Sequence, residues 1–224
     1  MQMINLTTFY IIMMNVMLML TVLKLLRFSK DEGYKPVLAM GIFAGWLLVE
    51  SVILFAFDWL PQDSLWLFGL ILLGVALAGV MLSPLFKTFL ALPQEFLLLP
   101  QAFRMFFGAG FIIEAVYGIM PATYGVVDGV LHITTAFLSV TLAIYIAHGF
   151  KPYRSLLLVN LFGLLDIVMV AGGIAFFILD DIGTNHNVFY AVFYAAPIFI
   201  WLHLLSLYKL TKTPKDKHAG VGGL

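Results

Sequence analysis

Residues 126–148 read VVDGVLHITTAFLSVTLAIYIAH. The run suits a bilayer-crossing helix, which needs about 20 predominantly apolar residues. It nevertheless carries Asp128, His132, Thr135 and Ser139 at i, i+4, i+7 and i+11, which a helix gathers on one face within about 40°. Hydrocarbon penalises each buried ionisable group by roughly 2.5–3.5 kcal/mol or more, so a line of this kind marks a candidate functional site.

The rest of the chain agrees with a lipid solvent. Its 224 residues are 62% hydrophobic and 11% charged, against about 25% charged in a typical soluble domain. There is no cysteine, which removes disulfides, thiolate metal sites and thiol catalysis together. Net charge is zero and no basic stretch is interleaved with aromatics, so nucleic acid is not an expected partner. The bilayer is.

Runs of about 20 apolar residues predict an all-α, seven-transmembrane bundle, with spans at 5–26, 37–57, 65–86, 98–119, 126–148, 155–179 and 188–210. The N-terminus lacks a basic n-region and a small-residue cleavage site, so it reads as the first span and not a cleaved signal. Residues 87–100 fit either an interfacial segment or an early start of the fourth helix, with Glu95 near its beginning and Pro100 bending it. Residues 1–210 form the membrane domain, and 211–224 read as a polar, disordered cytoplasmic tail.

Lys24, Arg27, Lys30, Lys35, Lys87, Arg104, Lys151, Arg154 and the lysines from Lys209 onward fall on one side of this topology. Asp58, Asp63, Asp180 and Asp181 collect on the other. The positive-inside rule then places the N-terminus out and the C-terminus in. A multi-pass protein of a bacterial inner membrane is expected. Gly41 and Gly45 form a G-x-x-x-G, and such small-residue faces suit close helix packing or oligomer formation.

Glu50, Glu114, His132, Asp166 and His203 lie well inside apolar runs, with Asp128 at the outer mouth of the fifth span. This orientation puts Glu50 and Glu114 in the outer third, His132 about 9 Å in, and Asp166 near mid-membrane. The expected site is a polar cavity open to the outside, centred on Asp128, His132 and Asp166, with Glu114 and Glu50 as further members. It suits binding of a proton, a cation or a small polar solute for transport or sensing. Asp128, His132 and Glu114 are the candidate ligands of a divalent metal, which also leaves open an intramembrane metal-dependent enzyme. A third reading keeps the polar residues as helix-locking contacts of an assembly protein. His203 and His148 are weighed as haem ligands, but a lone helical histidine is more often a hydrogen-bonded core residue. An early fourth helix would bury Arg104 and require a partner, with Glu114, Asp166 or Glu50 available. Glu114 lies roughly 15 Å up the same helix and cannot pair with it directly. Asn160, Gly163 and Asp166 climb the sixth helix at three-residue spacing, with Asn160 nearer in depth to Arg104 than to His132.

Gln101-Ala102-Phe103-Arg104, then Pro121, Gly125 and Asp128, then Asn160-Leu161-Phe162-Gly163-Leu164-Leu165-Asp166 resembles a group of small bacterial polytopic membrane proteins of unassigned function. Their pattern reads Q-x-F-R, a Pro, a Gly shortly before an Asp, then N-x-x-G-L-x-D. The likeness covers about residues 100–175. It departs at Val159, where many relatives carry Trp, and at Phe107, near which some carry Glu. The resemblance implies no activity, but it marks Arg104, Asp128, Asn160 and Asp166 for testing. Three Leu-Pro-Gln tripeptides at 60–62, 92–94 and 99–101, with seven helices, also resemble the PQ-loop transporters. Here the tripeptides fall in loops or at helix starts, and no internal repeat is visible.

Overall fold

A computed structural model describes residues 2–29, 35–56, 62–182 and 187–212. The described residues are helical or in short turns, with no strand among them. The chain runs through α1 (Gln2–Leu26), α2 (Pro36–Ala56), α3 (Gln62–Leu82), α4 (Leu85–Ala91) and α5 (Gln94–Leu98). A 3₁₀ turn (Leu99–Ala102) leads into α6 (Phe103–Val116), followed by α7 (Ala122–Ala147) and α8 (Tyr153–Gly173). A π-helical turn (Ile174–Ile178) and a 3₁₀ turn (Leu179–Asp181) extend α8. Then come α9 (Asn187–Tyr190), a second π-helical turn (Ala191–Ala195) and α10 (Ala196–Lys212).

Among the described residues five helical stretches are long and apolar enough to cross a membrane: Leu6–Leu26, Gln94–Val116, Ala122–Ala147, Tyr153–Asp181 and Val188–Lys212. A sixth is gained if the pair Leu67–Leu82 and Leu85–Ala91 counts as one span. The run expected at 65–86 is therefore not one straight helix. It bends by 75° between α3 and α4, at Ser83-Pro84, where proline lacks the N–H that would continue the helix. α2 runs over 21 residues, of which Pro36–Val52 form an apolar stretch. The expected disordered tail falls almost wholly outside the described residues.

The polarity of the bundle is the reverse of a soluble protein. Arg104, Asp166, Asn160, Glu114 and His203 are buried, whereas Phe176 and Phe177 are 82% and 80% exposed. That is the distribution required when the solvent is hydrocarbon and polar groups must be satisfied internally. The span Val188–Lys212, which ends in α10, is the most enclosed of the five, 83% buried inside the protein against 33% for the spans of α1, α7 and α8.

Among the described residues the most extensive helix–helix contact is between α6 and α7. Their connection turns at Gly118, whose φ of +66° suits a residue without Cβ, and Pro121 precedes the first turn of α7. A Cβ on Gly129 would stand 2.6 Å from the Gly108 carbonyl oxygen, and one on Gly108 would stand 2.5 Å from that of Gly129. Gly125, one turn earlier, would meet the Phe111 carbonyl oxygen at 2.9 Å. Gly125-x-x-x-Gly129 is thus the small-residue seam. Among the described residues nothing lies within 4 Å of a Cβ at Gly41 or Gly45. Gly45 instead borders an apolar cavity of about 400 Å³ between α2, α3, α4 and α10.

Candidate functional site

Arg104 fixes the site. The chain enters its span at Gln94, turns through the 3₁₀ segment around Pro100 and continues as α6. Gln101 Nε2 donates to the Phe199 carbonyl at 3.2 Å, tying that turn to α10. Of the two starts considered for the fourth span, the early one is found. Arg104 is consequently 0% exposed, about ten residues or roughly 15 Å in from Gln94.

Its partner is Asp166. Arg104 Nη2 donates to Asp166 Oδ2 in a fully buried ion pair. Arg104 Nη1 donates to the Gly163 carbonyl at 3.0 Å, and the guanidinium carbon lies 5.6 Å from the Phe199 ring centroid. Thr135 Oγ1 donates to the same Asp166 Oδ2 at 2.9 Å. With one oxygen held twice, the carboxylate presents the other, Oδ1, to His132 Nδ1 at 3.3 Å. His132 Nδ1 also lies 3.2 Å from Asp128 Oδ1. Its ring meets Phe111 edge to face at 5.8 Å.

One imidazole nitrogen therefore stands between carboxylate oxygens from α7 and α8. Among the described residues, Asp128, His132 and Asp166 form the group whose possible ligand atoms all lie within 4.8 Å of one another. All three are buried. Neither Asp128 oxygen makes a hydrogen bond among the described residues; its contact with His132 is close but poorly aligned. A buried carboxylate with empty acceptor positions carries a large desolvation cost unless a cation offsets it.

The other expected members sit elsewhere. Glu114 is buried on α6 and Glu50 on α2, and neither belongs to the converging group. Both Glu50 oxygens lack hydrogen bonds among the described residues, while the neighbouring Ser51 hydroxyl pairs with Tyr194 Oη at 2.9 Å. Nor is the site a wide polar cavity. His132 borders a void of about 40 Å³, lined otherwise by apolar residues including Phe107, Phe111 and Ile167. That is room for water or an ion.

Beyond Arg104 a second polar group continues toward Gln94. Arg104 Nη1 lies 3.4 Å from His203 Nε2. Arginine only donates, so this nitrogen faces it as the acceptor and the ring proton sits on Nδ1. That nitrogen then donates to Asn160 Oδ1 at 2.9 Å. Asn160 Nδ2 donates to Ser206 Oγ at 2.8 Å and to the Leu156 carbonyl at 2.7 Å. Gln94 Nε2 also donates to Ser206 Oγ. Both His203 nitrogens are thus turned to protein partners, and His148 Nδ1 faces the Ile144 carbonyl at 2.8 Å, which does not describe a pair of haem ligands. Gly163 admits this arrangement, since a Cβ there would stand 2.3 Å from His203 Nε2.

Thr135 belongs to the polar line read from the sequence but not to the expected ligand set, and Gln94 was not singled out as a site member. For Thr135 the signal was present, since it shares a face with Asp128 and His132. Gln94 and Ser206 meet only through the packing of α5 on α10. Comparison with protein families, characterised proteins and solved structures finds no match to this chain.

Proposed function

We propose that this is a multi-pass membrane protein whose Asp128–His132–Asp166 cluster binds one small divalent metal cation, in the service of transport or sensing. The observation that carries the reading is the convergence of three buried ligand atoms from α7 and α8 within 4.8 Å. The N···O separations of 3.2 and 3.3 Å are long for a charge-assisted hydrogen bond, which runs about 2.7–2.9 Å. They match the edge of a tetrahedron, about 3.3–3.4 Å, built on metal–ligand bonds of about 2.0–2.1 Å. Nitrogen with carboxylate oxygens suits zinc or a first-row ion such as manganese or iron, and no thiolate is present to select a softer one.

Arg104 and Thr135 would act behind the ligands. By holding Asp166 Oδ2 they leave Oδ1 directed at the cation position, the usual part of outer-shell hydrogen bonds in metal sites. Asp128 supplies the less constrained arm. In the seven-span, N-terminus-out topology that the Lys/Arg distribution supports, Asp128 lies toward the outer face of a bacterial inner membrane. The likeness to the polytopic group with N-x-x-G-L-x-D includes Arg104, Asp128 and Asp166, which fits a shared site.

The test is a titration of untagged, metal-stripped protein with zinc and with manganese, followed by metal analysis after desalting. One ion per chain is expected for wild type. Asp128→Asn should lose it and keep its fold, because Asp128 has no hydrogen bond among the described residues to give up. Wild type that retains no metal, or Asp128→Asn that retains as much, would remove the reading.

A further inference from the structure

The polar groups form a file through the bundle in two halves. One half is Asp128, His132, Thr135 and Asp166, joined by contacts of 3.2, 3.3 and 2.9 Å. The other is His203, Asn160, Ser206 and Gln94, joined by contacts of 2.9 and 2.8 Å and the bond from Gln94. Gln94 opens the span that ends at Val116, while Asp128 lies near the start of α7, just past the connection that follows Val116. The halves therefore extend toward opposite ends of the bundle.

Arg104 is in contact with both. It donates to Asp166 on one side and lies against His203 on the other, fully buried, with its second nitrogen also held by the Gly163 carbonyl. Guanidinium does not deprotonate in proteins and accepts no hydrogen bond. A positive charge fixed about 5 Å from a passing cation, at an effective dielectric near 20, disfavours that cation on the order of a hundredfold per unit charge.

We infer that Arg104 makes the site a one-sided receptor: a cation loads and leaves through the Asp128 end, and the guanidinium bars it from the polar groups on the Gln94 side. This rests on the cation reading above and decides between its two branches in favour of sensing. Binding alters the charge beside Asp166, the partner Arg104 shares with the metal. Arg104 in turn contacts His203 on α10, so occupancy is felt at Ser206 and Gln94 without passage of the ion.

The experiment uses wild-type protein in sealed vesicles, inserted in both orientations, with a zinc-responsive dye inside. Zinc added outside should load half of the sites while the lumen stays as dark as in empty vesicles, and a zinc ionophore should load the rest. Loading of all sites from outside, or a lumen that fills faster than in empty vesicles, overturns the inference. Arg104→Gln should fill the lumen on the order of ten-thousandfold faster, a hundredfold for each of the two charges on zinc, whereas Arg104→Lys should not. A folded, zinc-binding Arg104→Gln that leaves the lumen dark overturns it equally. If Arg104→Gln does not fold, the sidedness of wild-type loading decides alone. Absence of zinc binding in detergent is the distinct result that removes the cation reading and this inference with it.

Discussion

Gly129→Ala is the substitution whose consequence the structure specifies most closely. Its Cβ would stand 2.5 Å from Ile112 Cγ1 and 2.6 Å from the Gly108 carbonyl oxygen, where ordinary contact begins at 3.4 Å. The isoleucine can rotate away. The carbonyl is backbone, so α6 and α7 must part by the shortfall, 3.4 − 2.6, or about 0.8 Å. Overpacking of this kind costs about 1–3 kcal/mol. The same displacement carries His132, three residues further along α7, away from Asp166, which Arg104 of α6 holds. Loosening a supporting contact of a metal site lowers affinity about 10–100-fold. Gly41→Ala is the control, because among the described residues nothing lies within 4 Å of a Cβ there and alanine favours helix over glycine by about 1 kcal/mol. Thermal unfolding in detergent and zinc titration of both variants supply the readout. Gly129→Ala as stable and as tightly binding as Gly41→Ala would refute the reasoning about the α6–α7 seam.

Asp166→Asn should cost about 3–5 kcal/mol of stability, because it leaves Arg104 charged and unpaired in the interior. The double variant Asp166→Asn/Arg104→Gln should recover part of that loss in an unfolding cycle. Thr135→Val removes one hydrogen bond to Asp166 and should cost about 0.6–1.7 kcal/mol, the range for such bonds inside membranes, with zinc affinity falling more than stability. Zinc affinity should weaken steadily as pH is lowered, since protons compete for the carboxylate and imidazole ligands. A pH-independent affinity in stepped titrations would speak against this ligand set.

The apolar helices were legible in the sequence because bilayer thickness sets their length, and Asp128, His132 and Thr135 were legible as one face because helical periodicity alone groups them. Asp166 could be marked as an expensive buried acid, and Glu114 could be set aside as a direct partner of Arg104 by its distance along the helix, but Asp166 could not be chosen over Glu50. That choice depends on where the span containing Arg104 begins, and on the rotation of α8 that points Asp166 and the Gly163 carbonyl at it. Small-residue spacing does not by itself locate a helix seam. Gly41-x-x-x-Gly45 and Gly125-x-x-x-Gly129 have the same spacing, and only the packed neighbour distinguishes them. The bend after α3 did carry a local signal in Pro84. The π-helical turns at 174–178 and 191–195 carried none, since they shift the helical phase without a diagnostic residue.

X-ray absorption at the zinc edge of the loaded, untagged protein tests the central claim most directly. The expected spectrum has only nitrogen and oxygen neighbours at about 2.0–2.1 Å, with the outer-shell scattering of one imidazole that disappears in His132→Ala. A spectrum without imidazole scattering in wild type, or one unchanged by His132→Ala, would contradict the Asp128–His132–Asp166 site.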